Sequence, residues 1–263
     1  MLSDEQTRAA SDLLFRHWRD GTALTVLPDD LRPETRAEGY AIQAHLEGVS
    51  ASPLYGWKIA ATSADGQRHI GVDGPMAGRI LAERAHDDGA TVPFGANRMA
   101  VAEAEFAFRM ARDLPSRPTP YDVDEVLAAV AALHPAIELP DSRFDDFATA
   151  GGPQLIADNA CAHEFVLGPA APDDWRSRDL AAHAVAGAVA GKLERDGVGA
   201  NVLGDPRAAL TWLANELSSL GLTLKAGQVV TTGTCLTPMP IAAGDAVSAD
   251  FGPLGKVALR LGY

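Results

Sequence analysis

The pattern of hydrophobic and polar positions divides the chain into a helical beginning and a β-rich remainder. Ser3 and Gln6 form a capping-box pair, and apolar residues then recur at helical spacing. After a proline-rich break, a second helix is predicted over residues 40–49. From about residue 56 onward, short apolar runs separated by Gly, Pro and Asp are typical of strands. We therefore predict an N-terminal helical section, residues 1–55, followed by an all-β or mixed β-rich domain, residues 56–263.

Within the second part, alternation and helical spacing predict further elements. The predictions are a strand over Arg98–Met110, helices over Asp122–Leu133 and Ala208–Leu220, a hairpin over Ala182–Val198 and three strands between Gln228 and Tyr263. Asp196-Gly197 is a strong turn signal and is taken as the sign of the hairpin. The mixture of segregated helices and strands indicates an α+β protein.

Composition and charge narrow the classes of function. The 263 residues include 22 Lys+Arg and 35 Asp+Glu, a formal net charge of −13, with no basic stripe. A nucleic-acid partner is therefore not expected. Two cysteines, Cys161 and Cys235, are too few for a disulfide framework or a thiolate zinc site. There is no apolar run of transmembrane length and the first residues are acidic, so no membrane partner and a cytoplasmic location are expected.

Two familiar motifs are incomplete. Gly187 to Leu193 resembles a phosphate loop but is one residue short and lacks the Ser or Thr that would hold magnesium. His163-Glu164 begins a zinc-protease pattern, but position 167 is leucine, so the second histidine ligand is missing. Neither a serine-hydrolase elbow nor a dinucleotide-binding glycine loop is present.

Two carboxylates stand side by side on the alternating strand. Glu103 and Glu105 are two residues apart, so both side chains leave the same face, with no Lys or Arg between them. Side-by-side carboxylates repel each other unless they share a proton or a cation lies between them. A solvated strand face is the alternative interpretation of this pair, and the pair alone does not decide between the two.

A third carboxylate favours a metal site. Glu138 lies in a short apolar strand closed by prolines, where a solvated Glu is less expected. Three carboxylates without His or Cys favour a hard cation such as Mg²⁺. Asp141 is a candidate outer ligand, or it simply starts a turn. Lys58, the one charge in an apolar run, could hold an anionic substrate oxygen. Asp73 is by sequence alone an ordinary turn residue.

Together these residues form a known pattern. The chain resembles the 2-keto-4-pentenoate hydratase family of the fumarylacetoacetate hydrolase superfamily over nearly its whole length. The matching motifs, in order, are Gly56-Trp-Lys58-Ile, Ala61-Thr-Ser63, Gly71-Val-Asp73, Glu103-Ala-Glu105, Ala136-Ile-Glu138, Asp141-Ser-Arg143, Ile156-Ala-Asp158-Asn159-Ala, Trp212-Leu-Ala-Asn215, Thr232-Gly-Thr234, Gly244-Asp245 and Ala249-Asp-Phe-Gly252. Each is weak alone, and their order and spacing are specific.

The resemblance implies a rolled, mixed β-sheet fold behind the N-terminal helices, and a homo-oligomer. It implies that Glu103, Glu105 and Glu138 ligate Mg²⁺ or Mn²⁺. It further implies that Lys58 assists the substrate anion, that Asp73 transfers a proton, and that Thr234 and Asn159 bind substrate. In one departure, position 74 is Gly where many members have a second acidic residue after Gly-Val-Asp, so the proton-transfer scheme is open.

The expected activity is that of a metal-dependent lyase in aromatic catabolism. It would add water to a 2-hydroxy-2,4-dienoate and give a 4-hydroxy-2-oxo acid. A 2-oxo-3-enedioate decarboxylase and an acylpyruvate C–C hydrolase are alternatives that share the site. His45 and Glu47, the nearest match to a hydrolase His–Glu pair, should lie on different helix faces. A non-catalytic partner subunit is the alternative from another class. Loops around residues 62–75 and 142–155 are expected to form the pocket wall.

Overall fold

The computed structural model describes residues 1–263 and contains six α-helices and thirteen strands. The helices are α1 Asp4–Asp20, α2 Arg36–Ala44, α3 Ala64–His69, α4 Val123–Leu127, α5 Gly152–Ala157 and α6 Pro206–Ser219. The strands are β1 Gly56–Ala60, β2 Met76–Ile80, β3 Ala85–Asp87, β4 Thr91–Val92, β5 Val101–Met110, β6 Val130–Leu139, β7 Glu164–Leu167, β8 Ala184–Val189, β9 Leu193–Val198, β10 Val229–Thr234, β11 Met239–Pro240, β12 Ala246–Asp250 and β13 Lys256–Leu261.

Two mixed sheets form the β-rich part. The larger sheet has the order β2-β1-β10-β5-β6-β7-β3, with β11 paired to β5, and the smaller has the order β4-β13-β12-β8-β9. The pairs β1–β10, β3–β7 and β4–β13 are parallel, and the other pairs are antiparallel. Alternation on β5 turns Phe106 and Phe108 into the main core while Glu103 and Glu105 leave the opposite face. The predicted α+β class with mixed sheets is confirmed.

The N-terminal helices cover one side of the second part. The Ser3–Gln6 capping box begins α1, as predicted, and Gly21 ends it in the left-handed conformation. Ala10 of α1 and Ile42 of α2 share a buried cluster with Phe144 and Ala157 from far along the chain. The hydrophobic contacts thus join residues 1–55 to the rest, and the domain boundary stays a prediction from the sequence pattern. No helix has the length and apolarity needed to cross a membrane.

Two local predictions are wrong. The helix expected over Asp122–Leu133 stops after Leu127, and β6 begins at Val130. Asp122 does cap α4, but the alternating apolar residues that follow pair with β5, so tertiary pairing overrides the helix propensity of the alanines. The hairpin over residues 182–198 is confirmed as β8 and β9, but Asp196-Gly197 lies inside β9. The chain reverses instead over residues 190–192, where Gly191 has a positive φ.

The helix predicted over residues 40–49 is present as α2, but it spans Arg36–Ala44 and a 3₁₀ turn, His45–Gly48, follows it. The other element predictions agree with the structure. The strand over Arg98–Met110 is β5, and the helix over Ala208–Leu220 is α6 with Pro206 in its first turn. The tail forms β10, β12 and β13, with the short β11 as an additional strand.

Candidate functional site

Four adjacent strands of the larger sheet, β1, β10, β5 and β6, bring the predicted charged residues together. Lys58 on β1 pairs with Thr231 on β10, and β10 in turn pairs with β5, which carries Glu103 and Glu105. On the other side of β5, Glu103 is directly opposite Glu138 of β6. Backbone pairing alone therefore places four charged side chains on one face of the sheet.

The three carboxylates form a tight cluster with unused oxygens. One oxygen from each of Glu103, Glu105 and Glu138 lies within 4.8 Å of the others. The second oxygen of Glu105, Oε2, accepts hydrogen bonds from the Thr231 hydroxyl and from the Gly233 backbone N–H, the latter at 2.7 Å. Glu105 Oε1 and Glu138 Oε2 are buried and have no hydrogen-bond partner. Such atoms are rare in folded proteins and mark a place where a ligand completes the bonding.

Charge in the cluster is unbalanced. Burial, and then repulsion from Glu138, raises the pKa of Glu103 to about 7. Burial and the neighbouring carboxylates also raise the pKa of Glu105 well above its ordinary value, and burial raises that of Glu138. Lys58 is the one cation in contact. When all three carboxylates are ionised, the Lys58 ammonium balances one of their charges and two negative charges remain. One divalent cation would neutralise those two charges.

Lys58 is fixed between β6 and the residues after α5. Its Nζ lies 3.0 Å from Glu138 Oε1 and donates a hydrogen bond of 3.0 Å to the Ala160 carbonyl. Burial disfavours its charge, but attraction to Glu138, Glu103 and Glu105 outweighs that effect and raises the pKa of Lys58. Its stem passes over Gly78 of β2, where an added Cβ would lie 2.4 Å from the Asn159 carbonyl oxygen. Glycine is therefore required at position 78.

The segment Asn159–Cys161 supports Lys58 in an unusual backbone conformation. Three successive non-glycine residues have φ of 56°, 50° and 61°, a conformation that L-residues rarely adopt and that costs energy. The Asn159 side chain contributes to this arrangement, since its amide accepts from the Arg79 N–H at 2.6 Å and donates to the Arg79 carbonyl at 2.8 Å. Asn159, expected from the resemblance to bind substrate, is thus buried, bonded to β2 and absent from the cavity wall.

A cavity of about 1080 Å³ opens above the carboxylates. Lys58, Glu103 and Thr234 line its inner end. The segment 62–70, which includes α3, and Phe147 form part of its wall, as the predicted loops 62–75 and 142–155 suggested. Two further wall segments, Ala200–Gly204 and Leu236–Pro238, were not predicted from sequence.

The other predicted residues occupy different positions. Thr234 lies on the wall, where its hydroxyl donates to the Leu236 carbonyl at 2.8 Å. Asp73 is exposed in the turn after α3 and does not line the cavity. Asp141 is buried and its Oδ1 accepts from the backbone N–H groups of Arg98 and Met99, so it holds the chain entering β5. It is not part of the carboxylate cluster.

Sequence reasoning missed the groups that orient Glu105. Thr231 and the N–H of Gly233 both bind its Oε2, and Gly233 has a φ of 101° with the Thr62 side chain packed against its Cα. A signal was available, because Thr231 lies next to the Thr232-Gly-Thr234 motif. The irregular pairing of β10 with β5 between Thr231 and Thr234, which aims these groups at Glu105, is not readable from sequence.

The cluster suits a hard divalent cation. Three carboxylates offer oxygen ligands only, and two of their buried oxygens lack partners. The two negative charges that Lys58 leaves unbalanced match the charge of a divalent ion. Cys161 lines the cavity nearby, but burial, and then the charge of Asp158, raises its pKa to about 12, so it provides no thiolate ligand. Magnesium, manganese and calcium all fit this donor set.

Comparison with known proteins identifies the family of this chain. The family model described as fumarylacetoacetate (FAA) hydrolase C-terminal matches residues 78–261. A 2-hydroxyhexa-2,4-dienoate hydratase of Comamonas testosteroni is 33% identical over 98% of this chain and 99% of its own length. A 2-keto-4-pentenoate hydratase of Burkholderia vietnamiensis is 32% identical over 97% and 98%, respectively. These relatives confirm the family recognised from the sequence and the prediction of an enzyme.

A solved structure provides a second comparison. The 4-oxalocrotonate decarboxylase of Pseudomonas putida G7, complexed with magnesium and adipate, superposes with a TM-score of 0.89, 26% identity and coverage of 99% of both chains. The same decarboxylase has also been solved with calcium and acetate. The fold expected from the resemblance is confirmed by this similarity.

Proposed function

Because the chain belongs to the fumarylacetoacetate hydrolase family, we propose that its carboxylate cluster and cavity hydrate a 2-hydroxy-2,4-dienoate to a 4-hydroxy-2-oxo acid. The observation that carries the proposal is the cluster of half-buried Glu103 with buried Glu105 and Glu138, which has partnerless oxygens and Lys58 beside it. The hydratase relatives, similar over nearly the whole chain, supply the reaction class. We propose Mg²⁺ as the cation, with Mn²⁺ as the alternative, and a homo-oligomer as the assembly.

The reaction gains one water. Protonation of the dienol at its far carbon, C5, gives a conjugated 2-oxo-3-enoate. Water then adds at C4, and a proton returns to C3. A bound divalent cation supplies Lewis-acid stabilisation of the negative charge that develops on the oxygen at C2. Glu103, Glu105 and Glu138 would hold this ion at the inner end of the cavity.

Lys58 and Thr234 would orient the anionic end of the substrate. The Lys58 ammonium is buried and held by Glu138 and the Ala160 carbonyl, so it is preorganised to face an oxyanion without reorganising during the reaction. Thr234 presents its side chain on the same wall.

We propose that Asp73 delivers the proton to the substrate. Asp73 is exposed, but the turn that carries it follows Ile70, which borders the cavity. The role therefore requires this turn to move toward the substrate. Asp73→Asn should lower kcat, with KM little changed. An unchanged kcat would assign proton delivery to solvent that enters through the cavity mouth.

Product analysis tests the proposed function. The purified protein is incubated with 2-hydroxypenta-2,4-dienoate in Mg²⁺ or in chelator, and products are identified by mass. We expect a gain of one water only with Mg²⁺. Glu194→Gln, an exposed strand residue, serves as the control variant and should keep full activity. Metal-independent turnover, or full activity in Glu138→Gln, would overturn the proposal.

A decarboxylase is the second candidate. The similarity to the 4-oxalocrotonate decarboxylase over 99% of the chain favours it, since the same charge stabilisation would serve loss of carbon dioxide. Incubation with 2-oxohex-3-enedioate under the same conditions distinguishes the two reactions, because decarboxylation lowers the mass of the product by that of CO₂. A non-catalytic subunit would show neither reaction and would not need the intact carboxylate cluster.

An acylpyruvate hydrolase has less support. His45 and Glu47 lie in a 3₁₀ turn after α2 and serve different partners. His45 Nε2 contacts the Thr7 hydroxyl at 3.0 Å, and Glu47 accepts from Arg79 at 2.8 Å. Neither residue lines the cavity, so the chain offers no His–Glu pair to activate water there.

A further inference from the structure

The ammonium of Lys58 can donate three hydrogen bonds, and two of its N–H groups have partners inside the protein. Nζ lies 3.0 Å from Glu138 Oε1 and donates to the Ala160 carbonyl at 3.0 Å. The third N–H is left for the cavity, which Lys58 lines. Because a lysine side chain is flexible, the direction of this N–H depends on the positions of the two acceptors. Glu138 belongs to β6, whereas Ala160 lies outside the sheets and needs another support.

That support comes from the side chain of Asn159, which is 1% exposed. Its amide accepts from the N–H of Arg79 at 2.6 Å and donates to the carbonyl of the same residue at 2.8 Å. We call these two bonds the Asn159 clamp. Gly78, next to Arg79, pairs with Lys58, and the Asn159 carbonyl oxygen lies against it. The clamp therefore holds the turn Asn159–Cys161 over the stem of Lys58.

Local preference does not hold this turn. Asparagine tolerates positive φ better than most residues, but Ala160 and Cys161, with φ of 50° and 61°, have no such preference. Residues in this region keep their conformation only where the surrounding structure imposes it. Without the clamp we expect the turn to relax toward negative φ, and the Ala160 carbonyl would then turn away from Lys58.

The clamp is anchored in turn to the N-terminal helices. The Arg79 guanidinium donates to the Gln43 side chain and, at 2.8 Å, to Glu47. The fully buried Gln43 amide donates to the carbonyls of Ala77 and Ile156, at 2.9 and 2.8 Å. Gln43 thus joins β2, the strand beneath the turn, to α5, the helix before it. The base of the clamp is fixed on both sides.

We propose that Asn159 is a positioning residue that directs the third N–H of Lys58 at the negatively charged oxygen of the substrate. The inference rests on the proposed function for the presence of that oxygen. Asn159 does not bind the substrate itself and acts through Lys58. The clamp places the Ala160 carbonyl, this carbonyl and Glu138 fix the ammonium, and the ammonium faces the oxyanion without reorganising during the reaction.

Asn159→Gly removes the clamp without adding strain, because glycine adopts positive φ freely. The crystal structure of the variant should show the Ala160 carbonyl turned away from Lys58. The kcat/KM for the dienoate should fall by roughly 10–100-fold, since a displacement of about 1 Å near the reacting atoms costs rate of that order. A retained contact between Lys58 and Ala160, or an unchanged kcat/KM, would overturn the inference.

Asn215→Ala is the matched control. The Asn215 amide makes the same pair of bonds to the main chain of Tyr121, accepting from its N–H at 2.7 Å and donating to its carbonyl at 3.0 Å. Asn215 does not line the cavity. Its loss should lower the melting temperature and leave kcat/KM unchanged. An equal decrease of kcat/KM in the two variants would mean that any lost clamp loosens the protein, and Asn159 would have no positioning role.

A combination with Lys58→Met shows whether Asn159 acts through Lys58. Titration calorimetry with pyruvate in Mg²⁺ would compare the unaltered protein, both single variants and the double variant. Asn159→Gly should weaken pyruvate binding several-fold when Lys58 is present and have almost no effect when it is absent. Equal effects in both backgrounds would contradict the inference. If the protein hydrates no dienoate, the proposed function fails, whereas the contact between Lys58 and Ala160 in the variant crystal still decides the role of Asn159.

Discussion

Two acidic centres of this chain, one around Asp158 and one formed by Glu103, Glu105 and Glu138, accommodate carboxylate charge in opposite ways. Asp158 accepts hydrogen bonds from the Ser142 hydroxyl and the Arg143 N–H, and its carboxylate forms a buried ion pair with the Arg143 guanidinium. That guanidinium also donates to main-chain carbonyls and stacks on Trp18 at 4.7 Å. Every charge there has an internal partner.

The cluster of Glu103, Glu105 and Glu138 lacks such partners. It holds one cation, Lys58, for three acids, and two of its buried oxygens are unbonded. A buried centre that balances its own charge stabilises the fold, whereas one that leaves charge uncompensated depends on an external ligand. The contrast locates the functional site without reference to any relative, and experiments can separate the two behaviours.

The largest effect is expected on turnover at the unbalanced centre. Glu138→Gln removes a ligand and a charge, so kcat/KM should fall by more than the roughly 10–100-fold typical of outer-shell changes at metal sites. The melting temperature without metal should stay the same or rise, because repulsion with Glu103 is removed while Lys58 keeps the attraction of Glu103 and Glu105. Steady-state kinetics and calorimetry on the same preparation check both. A large loss of stability would mean that Glu138 is structural, like Asp158.

At the balanced centre the expected effect falls on stability. Arg143→Met leaves Asp158 buried without its counter-ion and should lower the free energy of unfolding by about 3–5 kcal/mol, measured by urea denaturation. The control is Arg117→Met, which breaks an exposed pair with Glu125 and should cost about 1 kcal/mol or less. Equal costs for the two variants would contradict the distinction between buried and exposed pairs.

The pH dependence of stability should differ with and without metal. The pKa of Glu103 is raised from 4.5 to about 7, so the folded state binds more protons than the unfolded state within that interval. As far as Glu103 contributes, the free energy of unfolding of the metal-free protein should therefore be greatest at about pH 4.5 and below. It should decrease as the pH rises from there through about 7. Saturating Mg²⁺ should remove the decline, and Glu103→Gln should remove it without metal. Melting curves between pH 5 and 8 provide the measurement.

The smallest effect concerns the orientation of one ligand. Thr231→Val keeps the shape of the side chain but removes its hydrogen bond to Glu105, so Mg²⁺ affinity should fall about tenfold. Thr232→Val is the matched control, because the neighbouring hydroxyl donates to the Phe106 carbonyl and does not touch the carboxylates. Titration calorimetry compares the two variants, and identical metal affinities would show that Thr231 does not orient the site.

Sequence patterns predicted the parts of the site that depend on strand periodicity. Alternation alone placed Glu103 and Glu105 on one face, and the apolar surroundings of Glu138 indicated burial; both features hold in the structure. Direct pairing of Glu138 with Glu103 depends on strand register, which is set by contacts distant in sequence and was not predicted. The Asn159–Cys161 conformation was beyond sequence analysis for a related reason. No glycine marks it, and only the surrounding packing maintains it.

The register of β5 against β6 fixes the carboxylates but does not fix most of the cavity wall. A shift of one residue would turn Glu138 toward the core, and the aromatic residues on the opposite face of β5 oppose such a shift. Packing in the protein interior therefore maintains the positions of the carboxylates. Much of the cavity wall, in contrast, comes from α3 and irregular segments. Mutations can reshape that wall while the reactive centre remains intact, which makes the fold suited to acquiring new substrates through its periphery.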